Sequence, residues 1–355
     1  MKRRIIVAMS GGVDSSVAAA LLAERGDEVL GVGLRFPDAP GASGHGACCG
    51  MSGLEDARTV ANHLGIPFYV LDYREAFDEA VIRPFCRAYA QGLTPNPCIP
   101  CNTELKFGRL LALARALGVE RVATGHYARL ERVEGEAAPR LLRGLDQAHD
   151  QSYFLYALTR EQLAHALFPV GEMSKDEVRA LASRYELPVA AKPSSQDICF
   201  VGPEGYRALV AAHEPAAAQP GPILDAQGRV LGTHRGLAAY TVGQRRGLGL
   251  AASEPLYVTG LDAARNVVVV GPKRTTLTRA VWLRQVHWLG ERLPTEPLRL
   301  GVQTRYRSEA VPASVEMGVE RVEVRFDAPR GRVAPGQAIV FYEGERVLGG
   351  GIASA

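Results

Sequence analysis

The first 130 residues alternate short apolar runs with longer amphipathic segments. Apolar runs predict buried strands over residues 4–9, 28–36, 66–73 and 119–130. Helical periodicity predicts three helices, each ended by a glycine, over residues 15–26, 53–65 and 104–118. Strands that alternate with helices of this length favour a parallel sheet covered on both faces.

The pattern changes near residue 202. Residues 214–250 contain short alternating runs and many glycines, which predicts a small β-rich module. Alternation of period two continues over residues 298–307, 314–326 and 336–353, and favours a terminal antiparallel barrel or sandwich. In residues 305–307 it predicts a strand with both arginines on one face. We therefore predict three domains, over residues 1–200, 201–272 and 273–355.

Composition and charge narrow the class of protein. The chain has 355 residues, of which 47% are hydrophobic and 22% charged, as in folded domains. A net charge of +3 neither indicates nor excludes a nucleic-acid partner. No apolar run approaches the ~20 residues that span a bilayer. The apolar run near the N-terminus is also too short for a signal peptide. We predict a cytoplasmic protein that does not enter a membrane.

One Gly-rich turn follows the first predicted strand and precedes the first predicted helix. It reads "SGGVDSS", residues 10–16. The turn has neither the lysine of a Walker A loop nor the spacing of a dinucleotide-binding motif. Its glycines and the following helix N-terminus still suit an anion, to which Ser10, Ser15 and Ser16 could donate hydrogen bonds. Asp14 beside a phosphate indicates Mg²⁺. The alternative is an ordinary helix capped by serine and aspartate.

This turn resembles the loop of the PP-loop ATP pyrophosphatases, which cleave ATP between the α- and β-phosphates. Further segments resemble the tRNA-specific 2-thiouridylases in order along almost the whole chain. They are "TPNPCIPCN", "ATGHYAR", "DQSYFLY", "KPSSQDICF", "TVGQRRGLG" and "RYR". The resemblance implies an α/β fold: a Rossmann-like PP-loop domain of the adenine nucleotide alpha hydrolase type, a central β-rich module and a C-terminal β-barrel.

The resemblance also implies an activity. This family uses ATP and Mg²⁺ to adenylate O2 of the wobble uridine in tRNAs such as those for Lys, Glu and Gln. Sulfur from a protein persulfide then replaces the oxygen, giving 2-thiouridine, AMP and pyrophosphate. A cysteine desulfurase or a sulfur-relay protein supplies the sulfur.

Residue roles follow from the same resemblance. The implied catalytic residues are Cys101, the nucleophile, and Cys199, the persulfide carrier. The implied ATP-binding residues are Ala8, Met9, Ser10, Gly11, Gly12, Val13, Asp14, Ser15, Leu34 and Gly125. The implied tRNA-binding residues are Asn96, Pro97, Cys98, His126, His149, Asp150, Gln151, Arg305, Tyr306 and Gln337. The sequence departs from the family at Cys98, where many members have aspartate.

The cysteines leave alternatives open. The chain has Cys48, Cys49, Cys86, Cys98, Cys101 and Cys199, which indicates catalysis, redox chemistry or metal binding rather than a disulfide scaffold. A predicted helix near Thr103 would lower the pKa of Cys101. Cys98 and Cys101 could instead form half of a zinc site with His45, Cys48 and Cys49. A [4Fe–4S] cluster on Cys98, Cys101 and Cys199 is another alternative. Cys86 is predicted to be a core residue.

Two other function classes remain at this point. An ATP-dependent synthetase of the same fold would act on a small metabolite and use ammonia. A nucleotide-sensing protein would bind ATP without chemistry.

Overall fold

A computed structural model describes residues 3–39, 51–193, 198–318 and 321–354. The expectations for His45, Cys48 and Cys49 lie outside these residues. The helices are α1 (Val13–Glu24), α2 (Met51–Leu64), α3 (Arg74–Phe77), α4 (Arg83–Ala90), α5 (Cys98–Pro100), α6 (Leu110–Ala116), α7 (Arg160–His165), α8 (Lys175–Arg184) and α9 (Tyr206–His213). Two segments are π-helical, Asp78–Ile82 and Cys101–Arg109.

The strands of the first half are β1 (Arg4–Ala8), β2 (Glu28–Arg35), β3 (Phe68–Asp72), β4 (Arg121–Ala123), β5 (Ala128–Glu131), β6 (Arg140–Arg143) and β7 (Ala166–Leu167). Those of the second half are β8 (Gly221–Leu224), β9 (Val230–His234), β10 (Leu256–Asp262), β11 (Val267–Pro272), β12 (Leu277–Trp288), β13 (Leu298–Gln303), β14 (Val311–Met317), β15 (Val322–Gly331), β16 (Ala338–Glu343) and β17 (Arg346–Ala353).

The chain divides into two compact units. The first unit comprises Met1–Val81, Pro97–Pro203 and Glu345–Val347. The second unit comprises Ile82–Asn96, Glu204–Gly344 and Leu348–Ala355.

A parallel sheet of order β3-β2-β1-β4-β7 forms the centre of the first unit. Apolar residues of β1 pack against α1 and α2. Val7 of β1, Val17 of α1 and Val60 of α2 are each fully buried in this core. The order of strands reverses at β1, since β2 and β4 flank it on opposite sides. In open sheets of this kind, ligands bind at the carboxyl ends of the strands on either side of that point.

Two sequence-based boundaries in the first unit are wrong. The strand predicted over residues 119–130 is two strands, because the parallel sheet ends at Ala123 and an antiparallel hairpin, β5–β6, begins at Ala128. The helix predicted to begin near Thr103 begins instead at Cys98 with α5. It is π-helical from Cys101 to Arg109 and continues as α6. Polar residues in these two segments obscure both features in the pattern of apolar positions.

The second unit contains two β-structures. A small sheet has the order β10-β11-β8-β9. A barrel follows, with the order β12-β15-β14-β13-β16-β17, and β17 pairs with β12 to close it. The strand predicted over residues 305–307 is wrong. β13 ends at Gln303 and the chain turns, with the Ser308 N–H donating to the Arg305 carbonyl and Arg307 at φ 60°.

Within the described ranges, none of the helices is long and apolar enough to cross a bilayer.

Candidate functional site

The Gly-rich turn connects β1 to α1 at the point where the strand order reverses. Gly11 has φ +72°, and a Cβ there would lie 2.0 Å from the Gly53 carbonyl oxygen of α2. Only glycine therefore fits this position. The first N–H groups of α1 lack partners within the helix, as in any helix. The turn forms a backbone cradle for an anion.

Hydroxyl groups hold the cradle in shape. Ser15 and Ser16 donate to the Gly12 carbonyl at 3.1 and 2.8 Å, and the Ser10 N–H donates to Ser15 Oγ at 3.2 Å. The N-cap of α1 is Gly12, which makes no side-chain capping bond. The alternative of an ordinary serine or aspartate cap is therefore wrong. Ser16 is fully buried and donates to the Gly12 carbonyl, and its expected hydrogen bond to phosphate stays a prediction.

The other predicted ATP-binding residues surround this cradle. Ala8 ends β1, Met9 and Val13 are buried beside it, and Leu34 lies near the carboxyl end of β2. Gly125 follows β4, and a Cβ on it would lie 2.5 Å from the Ser15 backbone nitrogen. The structure thus brings these residues together at the carboxyl edge of the sheet.

A lysine from a distant part of the chain reaches the loop. Lys175 begins α8, and its Nζ donates to Asp14 Oδ1 at 2.5 Å. Its ammonium also lies 5.7 Å from the centre of the Tyr127 ring. The Tyr127 hydroxyl donates to the same Asp14 oxygen at 2.8 Å. Burial, and then the Asp14 charge, raise the pKa of Tyr127, so it remains a donor.

A second lysine contacts the loop from the other side. Lys192 Nζ donates to the Gly11 carbonyl at 3.0 Å and to Asp56 Oδ2 of α2 at 2.6 Å. Lys192 precedes Cys199 by seven residues. Phe200, next to Cys199, packs against Phe77 with ring centroids 5.5 Å apart. Lys192 and Phe200 thus each contact other elements of the first unit.

The predicted tRNA residues 149–151 lie beside Tyr127. Gln151 accepts from the Tyr127 N–H at 3.0 Å through Oε1. His149 Nδ1 lies 2.9 Å from Asp146 Oδ2, which also accepts from the Lys175 N–H at 2.9 Å. This turn therefore supports the residues that hold Asp14.

Asp150 has a structural role within the same turn. It is 7% exposed. Its carboxylate accepts from Arg143, from the Gly144 N–H, and from both the N–H and the hydroxyl of Ser152. Four bonds satisfy a carboxylate, which leaves Asp150 suited to ordering the turn.

Cys98 is the first residue of α5, and Cys101 is the first residue of the π-helical segment that follows it. Burial raises the pKa of the Cys101 thiol, although the Lys106 ammonium opposes the shift. The expected lowering of the Cys101 pKa is therefore wrong, because desolvation outweighs the helix N-terminus. Cys98 keeps an exposed surface, yet desolvation by the surrounding protein, and then the Cys101 charge, raise its pKa to about 11.

Lys106 links these thiols to His126. A π-helix has more than four residues per turn, so Lys106 lies on the same face as Cys101 and Asn102. Its Nζ donates to Asn102 Oδ1 at 3.0 Å. Burial, and then Lys106, lower the pKa of His126 well below its usual value, so the ring is neutral. Thr124 Oγ1 lies 2.7 Å from its Nδ1.

This arrangement predicts an alkaline profile for Cys101. Only the thiolate reacts with iodoacetamide, and the pKa of the Cys101 thiol is raised. The rate of Cys101 alkylation should therefore keep rising above pH 9, the usual pKa of a thiol. Lys106→Met should move the profile further upward, whereas Lys273→Met, at an exposed lysine, should not. The measurement is peptide-resolved mass spectrometry across a pH series. A plateau below pH 8 would instead favour activation by the helix N-terminus.

The remaining predicted tRNA residues belong to the second unit, except Pro97. Gln337 Nε2 donates to the Thr94 carbonyl at 2.9 Å, and the Thr94 N–H donates to the Pro335 carbonyl at 2.7 Å. This anchors the segment that leads to Asn96. Since Gln303 pairs with Val340, Arg305 and Tyr306 lie at the same barrel end as Gln337. The structure thus gathers Asn96, Arg305, Tyr306 and Gln337 at one end of the barrel.

The described residues contain no group of three or more His, Cys, Asp or Glu side chains placed to hold a metal ion. Cys98, Cys101 and Cys199 are all described, and the structure does not gather them as cluster ligands. Asp14, expected beside Mg²⁺, has the Lys175 ammonium as its partner.

The residues that sequence reasoning missed are chiefly lysines. Among 41 basic residues the chain has only Lys2, Lys106, Lys175, Lys192 and Lys273, and the rest are arginine. Three of these five lie at the loop or the thiols. Lysine is a compact point charge, whereas arginine is a planar fork. The rarity of lysine was a signal that could have identified these three positions.

Together, the open parallel sheet and the phosphate cradle define a nucleotide-binding α/β domain. Family models agree. Residues 3–203 match one described as a tRNA methyl transferase HUP domain, and residues 210–272 one described as a tRNA methyl transferase PRC-barrel domain. Residues 278–353 match an aminomethyltransferase beta-barrel domain. The expected fold, a PP-loop domain followed by a β-rich module and a β-barrel, is confirmed.

Whole-chain relatives then identify the family. The chain is 49% identical over 351 residues to the tRNA-specific 2-thiouridylase of Moorella thermoacetica, covering 98% of each. It is 48% identical over 352 residues to that of Magnetococcus marinus, again covering 98% of each. For Geobacter metallireducens the identity is 49% over 356 residues, covering 99% of this chain and 96% of the relative. The chain belongs to the tRNA-specific 2-thiouridylase family, which are sulfurtransferases.

Proposed function

We propose that this protein converts the wobble uridine of tRNA to 2-thiouridine, using ATP and a protein persulfide. The observation that carries the proposal is the presence of the phosphate cradle, Cys101 and Cys199 in one compact unit. Near 49% identity with thiouridylases along the whole chain supports the same reaction. The tRNA substrates would include those for Lys, Glu and Gln, and the place of action would be the cytoplasm.

The proposed first step activates the base. The uridine is flipped out of the anticodon loop, because the reacting carbonyl must reach the nucleotide. Its O2 attacks the α-phosphate of ATP, and pyrophosphate leaves into the cradle formed by residues 8–15 with Leu34 and Gly125. Lys175 supplies positive charge beside this cradle, and Mg²⁺ accompanies the ATP. Adenylation turns a poor oxygen leaving group into a good one.

The second step transfers sulfur. The terminal sulfur of a Cys199 persulfide attacks C2, and AMP leaves with the O2 oxygen. The Cys101 thiolate then attacks Cys199 Sγ, which breaks the S–S bond and leaves sulfur on C2. A Cys101–Cys199 disulfide forms and must be reduced by an external thiol. A cysteine desulfurase or relay protein reloads Cys199.

Cys98 takes the position where many family members have aspartate. Its raised pKa of about 11 keeps the thiol protonated at neutral pH. We propose that Cys98 donates a hydrogen bond near the target base, with Asn96, Pro97 and His126, rather than acting as a base. The residues 149–151, with Arg305, Tyr306 and Gln337, complete the proposed tRNA contacts. The proposed domains cover residues 1–200, 201–272 and 273–355.

A reconstituted assay tests this function. Purified protein, ATP, Mg²⁺, a persulfide donor and a tRNA transcript with uridine at the wobble position should yield 2-thiouridine in digested nucleosides. AMP and pyrophosphate should appear in equal amounts, and a transcript with cytidine there should yield neither. Release of ADP, or nucleotide turnover that does not depend on tRNA, would reject the proposal and favour a small-molecule synthetase or a sensor.

A separate measurement distinguishes the persulfide from the cluster alternative. Anaerobic purification followed by iron and sulfide analysis should show less than stoichiometric iron in a preparation that thiolates tRNA. Four irons per active protein, with visible absorbance, would replace the persulfide route by a [4Fe–4S] route on Cys98, Cys101 and Cys199.

A further inference from the structure

A second arginine lies at the barrel end where the predicted tRNA residues gather. Arg330 is near the end of β15 and pairs with Thr278 of β12. In the same sheet Ala313 pairs with Phe326, and Val302 pairs with Val311. This register places Arg330 at the same barrel end as the turn that contains Arg305.

The Arg330 guanidinium packs on an aromatic ring, but one of its nitrogens lacks a hydrogen-bond partner among the described residues. Its central carbon lies 4.9 Å from the centre of the Phe326 ring, which fixes its plane. Its Nη1 is buried and has no hydrogen-bond partner among the described residues. A buried donor without a partner is destabilising, more so when it is charged, so such groups usually have a partner when the protein functions.

Arg305 adds a second positive charge close by. The register of β13, β14 and β15 brings the turn that contains Arg305 to the end of β15, where burial, and then the Arg305 charge, lower the pKa of Arg330. In the described chain, no ion pair involves either residue. Two other arginines of the barrel strands do have carboxylate partners, Arg299 with Asp327 and Arg325 with Glu323. Two like charges without a carboxylate attract an anion, and a phosphate could accept hydrogen bonds from both.

We propose that Arg330 and Arg305 together bind one phosphodiester group of the tRNA backbone. This inference rests on the proposed function, since the anion must belong to a nucleic acid presented to this end of the barrel. A phosphate has the oxygens to accept from both forks, and the ring of Phe326 keeps the Arg330 fork oriented before tRNA arrives. Arg330 would therefore act in binding and registering the tRNA rather than in chemistry.

The test is the salt dependence of tRNA binding. Each phosphate contact adds about one to the slope of log affinity against log salt concentration. Because Arg305 stays on the same phosphate, Arg330→Met should lower the slope by less than one and weaken binding roughly three- to tenfold at moderate salt, whereas Arg305→Met/Arg330→Met should lower the slope by about one. Arg330→Lys should keep the slope and lose part of the affinity, because it keeps the charge and loses the fork. Arg299→Met is the matched control and should leave both values unchanged.

The possible results of this test distinguish an error in this inference from an error in the proposed function. An unchanged slope in a folded Arg330→Met variant would overturn the inference, whatever the wild type does with tRNA. Stabilisation of the wild type by inorganic phosphate that is lost in the variant, with no slope change, would assign the pair to free phosphate and also overturn it. If the methionine variant unfolds, the lysine variant decides, since an unaltered affinity there would exclude bidentate binding. Absence of thiolation by the wild type, with the slope change present, would reject only the proposed function.

Discussion

Replacing Cys199 with serine is expected to abolish 2-thiouridine formation and to leave tRNA-dependent pyrophosphate release in place. Serine keeps the size of the side chain but cannot carry a persulfide, so the sulfur step is lost while adenylation is retained. Loss by a factor of about 10⁴ or more is expected when the group that forms the new bond is removed. Thiolated nucleosides and radiolabelled pyrophosphate, measured in the same reaction, separate the two steps.

The Cys101→Ser variant should behave differently. Sulfur can still attack C2, but no thiolate is available to break the S–S bond. A disulfide-linked adduct of tRNA and Cys199 should accumulate and be released by dithiothreitol. Cys86→Ala is the control, because Cys86 is fully buried in the second unit. Thiolation by Cys199→Ser at the wild-type rate, or an adduct in that variant, would contradict the persulfide route.

The central strands and helices of the first unit were predictable because burial dictates their apolar pattern. Val7 and Val17 belong to runs whose periodicity is strong, and the structure has a strand and a helix there. The predictions failed where a few residues change the backbone path. The chain leaves the sheet after Ala123, and it turns rather than continuing as a strand at Arg305. Alternation of polar and apolar residues cannot distinguish a strand from an irregular segment of the same composition.

The site shows the same limit over longer distances. The resemblance named the Gly-rich loop, but not the two lysines that contact it, which are 161 and 181 residues away along the chain. It assigned Asp150 to tRNA, which stays a prediction, but it did not reveal that the Asp150 carboxylate orders a turn. The Cys101 pKa was misjudged because burial depends on neighbours from several elements. Such properties follow from tertiary packing, which a single sequence shows only indirectly.

Lys175 is the lysine whose removal should cost most. Lys175→Met takes the ammonium from beside Asp14, with which it makes a 2.5 Å contact in a site where Lys175 is 8% exposed. Loss of one preorganised charge at a reacting group lowers kcat by about 10²–10³. We therefore expect tRNA-dependent pyrophosphate release to fall by roughly that factor and the KM for ATP to rise. Lys175→Arg should restore little, since the longer fork does not fit a contact built for a point charge.

A double variant distinguishes this role of Lys175 from a purely structural one. Lys175→Met leaves Asp14 without its partner, which destabilises the fold, so the melting temperature of this variant should fall along with its activity. The double variant Asp14→Asn/Lys175→Met removes the unpaired charge and should recover stability, but it should not recover pyrophosphate release. Lys273→Met, at an exposed lysine of the second unit, should match the wild type in both respects. Recovery of activity together with stability in the double variant would assign Lys175 to folding alone, because the charge beside the cradle would then be dispensable for cleaving ATP.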